Sequence, residues 1–222
     1  MFTYSLTGLT LQVPLAEPEE LEENETTARS AVYKLLGALF APPQERLFEA
    51  LLEGSFAAEL EQAVALLPFR FVVGRAPLPD AGDVHGYAGQ YAELFSGEDG
   101  SSLLGAGLRD GEVKLRREYE YFGLSTGGTD GAGGRPADHL ATECEFMQYL
   151  TFREAATQAD RLRLTYRTAQ RDFLEHRMVP WVPGMVAAVM RQSPPEPFAW
   201  GLEALVELLR ADCRYVAGLL AA

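Results

Sequence analysis

The stretch TTARSAVYKLLGALF, residues 26–40, carries the pattern that decides the fold class. Its apolar residues recur at spacings of three and four, and they are Ala28, Val32, Leu35, Leu36 and Leu39. Because an α-helix turns once in about 3.6 residues, this spacing places them on one helix face. Pro42 and Pro43 follow and end the predicted helix, since proline has no N–H to donate.

The same spacing extends outward through most of the chain. Further helices are predicted over residues 47–52, 56–67, 82–95, 113–122, 136–157, 160–178 and 197–220, with a turn at 180–183 and a short helix after it. We find no convincing run of alternating strands and no internal repeat. The prediction is therefore an all-α, bundle-like fold of about eight to ten helices of ordinary length.

Changes in composition divide the chain into four parts. Residues 1–24 form an acidic tail, and residues 25–124 form an N-terminal helical part. The segment STGGTDGAGG, residues 125–134, is half glycine, which predicts a mobile loop or linker. Residues 135–222 form a C-terminal helical part.

The tail itself combines two patterns. Phe2, Tyr4 and Leu6 alternate with polar residues, which fits a short strand. Glutamates then crowd residues 17–25. Such a charge block is typical of a solvated segment, and the functional alternative is an electrostatic lure for a basic peptide.

The net charge restricts the classes of partner. The chain has 222 residues, with 19 Lys and Arg against 32 Asp and Glu, which gives −13 at pH 7. A nucleic-acid-binding protein needs a basic surface for the phosphates, and anionic membranes also attract basic segments. We therefore expect no nucleic-acid partner and no membrane binding, whereas a cationic partner fits the charge.

Cysteine use and the N-terminus indicate a compartment. Cys144 and Cys213 have no CxxC neighbour, and two lone thiols are typical of a reducing cytoplasm. The N-terminus has no basic region and soon turns acidic, which is a poor secretory signal. No apolar run approaches the roughly 20 residues that span a bilayer. We expect a soluble cytoplasmic protein.

The string RPADHLATECEFM, residues 135–147, carries the most polar chemistry. His139 and Glu143 are four residues apart and share a face of the predicted helix, with Pro136 at its first position and Asp138 in its first turn. This set suits metal binding or acid–base work, but no third or fourth ligand is evident. Helix capping and hydrogen bonding are favoured. No phosphate loop and no GxSxG nucleophile motif occurs.

Two apolar stripes accompany this string. The first is the other side of the same helix, and its members are Leu140, Cys144, Met147 and Leu150, which we interpret as core. The second lies on the helix predicted over 82–95, and its members are Tyr87, Tyr91, Leu94 and Phe95. Core packing is the first interpretation of the second stripe, and an aromatic groove for a peptide is the alternative.

Four strings, in this order along the chain, resemble motifs of the TorD/DmsD/NarJ-type maturation chaperones of molybdenum enzymes. They are Arg29-Ser-Ala-Val-Tyr33-Lys-Leu-Leu36 with Phe40 and Pro42; Tyr91-Ala-Glu-Leu94-Phe95; Pro136-Ala-Asp138-His139-Leu140 with Glu143; and Phe173-Leu174 with His176, Trp181 and Pro183. Residues 119–124 resemble the subgroup that serves type II dimethyl-sulfoxide-reductase-family enzymes. Arg135 stands where the family pattern has a glutamate.

The resemblance implies an all-helical cytoplasmic chaperone and no enzyme. Such a protein binds the catalytic subunit of a molybdenum oxidoreductase and its twin-arginine signal peptide, which prevents premature export. It has no cofactor of its own and assists insertion of molybdopterin guanine dinucleotide into the client. Cofactor-biosynthesis proteins are further candidate partners.

The resemblance also nominates contact residues for the client and the signal peptide. They are Tyr91, Leu94, Phe95, Pro136, Asp138, His139 and Glu143. The residues themselves leave two alternative functions open. One is a helical metal-dependent hydrolase that uses Asp138, His139 and Glu143, and the other is a helical adaptor with a different protein client.

Overall fold

A computed structural model describes residues 9–11, 24–95, 103–105, 109–126 and 135–221. The helices are α1 (Glu25–Leu39), α2 (Glu45–Glu53), α3 (Ser55–Ala65), α4 (Val84–Phe95), α5 (Arg109–Tyr121), α6 (Leu140–Ala156), α7 (Asp160–Phe173), α8 (Val179–Met190) and α9 (Phe198–Ala221). A π-helical turn, Leu174–Met178, joins α7 to α8. The all-α prediction is confirmed.

Strand structure within the described ranges is a single short pair. β1 (Leu9–Leu11) runs antiparallel to β2 (Leu124–Thr126), with Leu9 opposite Thr126. The strand predicted over residues 2–6 lies outside the described residues, as do most of the tail and most of the glycine-rich segment.

Helix α6 is the centre of the fold. Nearly every side chain from Leu140 to Glu154 is buried, so the helix is enclosed on all sides. It packs along α1, and Gly37 permits the close approach: a Cβ built there would lie 2.7 Å from the Cβ of Cys144. The predicted core stripe, Leu140, Cys144, Met147 and Leu150, is fully buried, so that interpretation is confirmed.

The start of α6 differs from the prediction. The helix begins at Leu140, four residues after Pro136, and His139 is its N-cap in an extended conformation. Pro136 is therefore not the first helical residue, and Asp138 lies before the first turn. The physical reason is tertiary: residues 138–140 pair with residues 103–105, and extended backbone is needed for that pairing.

The turn predicted at residues 180–183 is wrong, because these residues belong to α8. Pro180 is the second residue of α8, directly after the π-helical turn. Pro183 is tolerated inside the helix. The extent of the preceding helix, predicted over 160–178, is confirmed by α7 and its π-helical turn.

The core draws on both helical parts of the chain. Residues of α1 and α4 share one continuous cluster of buried side chains with residues of α6, α8 and α9. A buried ionic network accompanies it, in which Arg29 donates to Asp212, Glu154 and Gln170. Residues 25–95 and 135–221 therefore fold around the same core, and the entrance of α6 is held between them.

Candidate functional site

The candidate site is the entrance of α6, formed by residues 135–143. A short segment, residues 103–105, runs beside it and forms backbone hydrogen bonds. Gly105 N–H donates to Asp138 O over 2.9 Å, and Leu140 N–H donates to Leu103 O over 2.7 Å. Tyr119 in α5 donates its hydroxyl to Ala137 O over 2.9 Å. The entrance is thus fixed through its main chain.

His139 acts as a helix cap. Its Nδ1 accepts a hydrogen bond from Ala141 N–H over 3.2 Å, which satisfies one of the free donors of the first turn. Burial, and to a smaller extent the neighbouring Arg135, lowers the pKa of His139 to about 4. The imidazole is therefore neutral at pH 7 and available as an acceptor.

Asp138 and Pro136 offer the accessible chemistry. Asp138 is half-buried, and desolvation raises its pKa above the ordinary value, against the lowering effect of its backbone hydrogen bond and of Arg177. Pro136 is exposed. Together they present a carboxylate and an apolar ring at the surface of the α6 entrance.

Glu143 has a role that its spacing did not predict. Its side chain is fully buried, and it accepts from Arg177 Nε over 2.6 Å and from Trp181 Nε1 over 3.0 Å. Burial raises the pKa of Glu143 to about 7, although both partners favour the ionised form. Glu143 therefore ties α6 to the π-helical turn and to α8, and it is not presented to solvent beside His139.

Arg177 and Trp181 are the positioning residues that sequence reasoning missed. The Arg177 guanidinium lies 5.9 Å from the Trp181 ring centroid and directly beside Gly105, where a Cβ would collide with it. Its buried Nη2 has no hydrogen-bond partner among the described residues. Trp181 was part of a motif resemblance, but no local pattern singled out Arg177.

The aromatic stripe of α4 lies in the core. Leu94 and Phe95 are buried, and Tyr91 donates its hydroxyl to Phe40 O over 3.0 Å. The rings of Tyr91 and Phe95 both pack on Phe198 at the start of α9. Burial raises the pKa of Tyr91 to about 12. Core packing, the first interpretation, describes these contacts.

Arg135 connects the two groups of candidate residues. It is ion-paired with Glu145 of α6, so the charge reversal relative to the family pattern is compensated within the chain. It is also an electrostatic neighbour of both Tyr91 and His139. The stripe and the α6 entrance therefore both lie near one buried arginine.

Within the described ranges, no group of three or more His, Cys, Asp or Glu side chains is placed to hold a metal ion. None of the described helices has both the length and the apolar character needed to cross a membrane. What the fold and the site define together is an all-helical protein with a rigidly held, polar helix entrance.

Comparisons with known proteins give the class a name. Residues 53–187, more than half of the chain, match the family described as the nitrate reductase delta subunit. The chain is 35% identical over 174 residues, 73% of its own length and 69% of the relative's, to the dimethyl sulfide dehydrogenase assembly chaperone protein of Rhodovulum sulfidophilum.

Two shorter matches agree. One is to the perchlorate reductase assembly chaperone protein of Dechloromonas aromatica (strain RCB), 38% identical over 35% of this chain and 34% of the relative. The other is to the selenate reductase assembly chaperone protein of Thauera selenatis, 38% identical over 34% of this chain and 38% of the relative. The chain belongs to the nitrate reductase delta subunit family, and its resemblance to the TorD/DmsD/NarJ-type maturation chaperones is confirmed.

Proposed function

We propose that this protein is an assembly chaperone for a molybdenum oxidoreductase and has no catalytic activity of its own. The observation that carries the proposal is the similarity to the dimethyl sulfide dehydrogenase assembly chaperone, which extends over 69% of that protein. The all-helical fold with its fixed α6 entrance agrees with a binding role.

The proposed client is the apo form of the catalytic subunit. The chaperone binds it in the cytoplasm and holds it open until molybdopterin guanine dinucleotide has been inserted. It also binds the twin-arginine signal peptide and so delays export. A net charge of −13 favours encounter with the basic end of such a peptide, and apolar surface favours its helix-prone stretch.

The proposed contacts at the α6 entrance are Pro136 and Asp138, which are accessible, with His139 holding their backbone in place. Glu143 stabilises the same entrance from the core, through its hydrogen bonds with Arg177 and Trp181. Tyr91, Leu94 and Phe95 support the same surface from α4. Their packing on Phe198 makes them part of the scaffold for a contact surface.

The test is capture of the apo catalytic subunit by the purified protein, followed by activity of the client after cofactor loading. We expect Asp138→Ala to weaken capture about tenfold, which corresponds to about 1.4 kcal/mol. Asp160→Ala is the matched control, because Asp160 is an exposed carboxylate at the start of α7. Equal capture by both variants would remove Asp138 from the site, and no capture by the wild-type protein would refute the proposal.

A further inference from the structure

A groove lies between the carboxyl end of α5 and helix α7, outside the α6 entrance. It encloses a cavity of about 540 Å³. Its α7 wall extends from Arg161 to Asp172, and the rise between these two residues corresponds to about 16 Å of helix. Its α5 wall is formed by Glu118, Tyr121 and Phe122. A groove of this length accommodates several residues of a bound peptide.

The two walls run antiparallel, which gives the groove a polarity. The Phe122 ring packs against Tyr166 in the middle of α7, 5.9 Å between centroids. Glu118, one turn earlier on α5, interacts electrostatically with Asp172 near the end of α7. One end of the groove is therefore acidic, and the other end is occupied by Arg161.

The middle of the groove is unusually apolar for exposed surface. Tyr121 is 76% exposed and Leu164 is 56% exposed, and both line the cavity. Scattered single apolar residues are ordinary on a protein surface, but two large ones on facing walls of one groove form a patch that a partner can cover. Covering them removes apolar area from water and so favours binding.

At the acidic end, the Glu118 carboxylate has no cation bonded to it among the described residues. Glu118 has neither a hydrogen bond nor an ion pair to any described residue, whereas Asp172 is paired only with its neighbour Arg171. Burial and, to a smaller extent, the Asp172 carboxylate raise the pKa of Glu118 to about 6, against the lowering effect of Arg177. A positive group placed here gains the Glu118 carboxylate, with Asp172 beside it, and offsets the desolvation of Glu118.

The groove also adjoins the α6 entrance. Arg177 interacts electrostatically with Glu118 and with Asp138, so the acidic end of the groove and the entrance lie near the same guanidinium. A peptide in the groove would thus have its cationic end next to the proposed client-binding surface.

We propose that the α5–α7 groove binds a peptide segment in which a basic side chain is followed by apolar residues. The basic group lies between Glu118 and Asp172, and the apolar side chains cover Tyr121 and Leu164. Arg161 repels a cation at the far end and so sets the direction. The inference rests on the proposed function, since a signal peptide with a basic end and an apolar stretch has this composition.

The experiment is titration calorimetry with a synthetic peptide that carries two arginines followed by an apolar stretch. We expect Glu118→Gln to weaken binding about tenfold, because a charge-assisted hydrogen bond is lost. Glu120→Gln is the matched control: it makes the same change two residues further along α5, on an exposed side chain outside the groove, and should bind as wild type.

A second pair of variants tests the apolar part. We expect Leu164→Ser to weaken binding several-fold, because the buried leucine area is lost. Leu162→Ser is its control, since Leu162 is similarly exposed on the same helix and does not line the groove. Replacing both arginines of the peptide by glutamine should abolish the difference in affinity between Glu118→Gln and wild type.

The outcomes separate this inference from the proposed function. Wild-type binding that is unchanged in Glu118→Gln and Leu164→Ser overturns the groove and leaves the chaperone proposal standing. No binding of the peptide by the wild-type protein also overturns it, while capture of the apo subunit still decides the chaperone proposal. A wild-type dimer that Leu164→Ser dissociates in sedimentation velocity would assign the groove to a second copy and likewise overturn the inference.

Discussion

At the scale of the residue, the α6 entrance shows how one change of backbone conformation reassigns side chains. His139 and Glu143 have helical spacing, which predicts a shared face. In the structure His139 precedes the helix and caps it, while Glu143 lies inside and binds Arg177 and Trp181. The pair therefore stabilises the entrance by two separate contacts, and Asp138 is left as a half-buried polar group at the entrance.

The cap can be tested by comparing His139→Ala with His139→Asn. Alanine removes the acceptor, and we expect a loss of about 1 kcal/mol in the free energy of unfolding, measured by urea denaturation. Asparagine keeps a side-chain acceptor and should lose less. Equal losses in the two variants would contradict a capping role.

The same residue gives a pH dependence with a definite sign. The pKa of His139 is about 4 in the folded protein against an ordinary value of 6.5, so the folded state binds fewer protons between these values. Its contribution to stability is complete above about 6.5 and is lost as the pH falls through about 4. The stability of His139→Asn should therefore fall less steeply than that of the wild type over this range.

At the scale of the element, the pairing of α1 with α6 depends on small side chains. Gly37 faces the Cβ of Cys144, and the absence of a side chain at Gly37 lets two largely buried helices approach each other. The apolar periodicity of residues 26–40 predicted α1 but could not predict which helix it meets. The partner of Arg177 was equally unpredictable. The π-helical turn after α7 places Arg177 beside Glu143, and no periodic pattern in the sequence indicates this turn.

The α1–α6 contact can be tested with two glycine-to-alanine changes. Gly37→Ala should lower the free energy of unfolding by about 1–3 kcal/mol, because the new Cβ overpacks a tight interface. Gly89→Ala is the matched control within α4, where a Cβ meets nothing within 4 Å. It should raise the free energy of unfolding by up to about 1 kcal/mol through helix propensity. Urea denaturation followed by far-UV circular dichroism distinguishes the two, and a neutral Gly37→Ala would refute the tight contact.

At the scale of the whole molecule, a buried ionic network joins distant parts of the chain. Arg29 of α1 donates to Asp212 of α9 over 2.7 Å, to Glu154 of α6 over 3.2 Å and to Gln170 of α7 over 2.5 Å. Tyr33 donates a further hydrogen bond to Asp212. Because buried charges are costly unless they are paired, this network favours the one arrangement of four helices that satisfies it.

Replacing Arg29 by methionine should therefore be severe. It leaves Asp212 buried without its cation and leaves Glu154 with Arg167 alone, and we expect a loss of about 3–5 kcal/mol in the free energy of unfolding. Arg116→Met is the control, since Arg116 is paired with Glu112 on the exposed surface of α5, where a loss of about 0–1 kcal/mol is expected. Similar losses in both variants, measured by urea denaturation, would show that the network does not hold the helices together.

The sequence by itself determined the helical class, most of the helix positions and the family. Local periodicity and motif order are enough for these, because each helix repeats its apolar face within a few turns. Only the tertiary structure decided what lies beside each helix. The partners of Glu143 are 34 and 38 residues away, and Asp212 is 183 residues from Arg29. The physical reason is that such pairings are chosen by packing and desolvation over the whole core, and these leave no pattern between neighbouring residues.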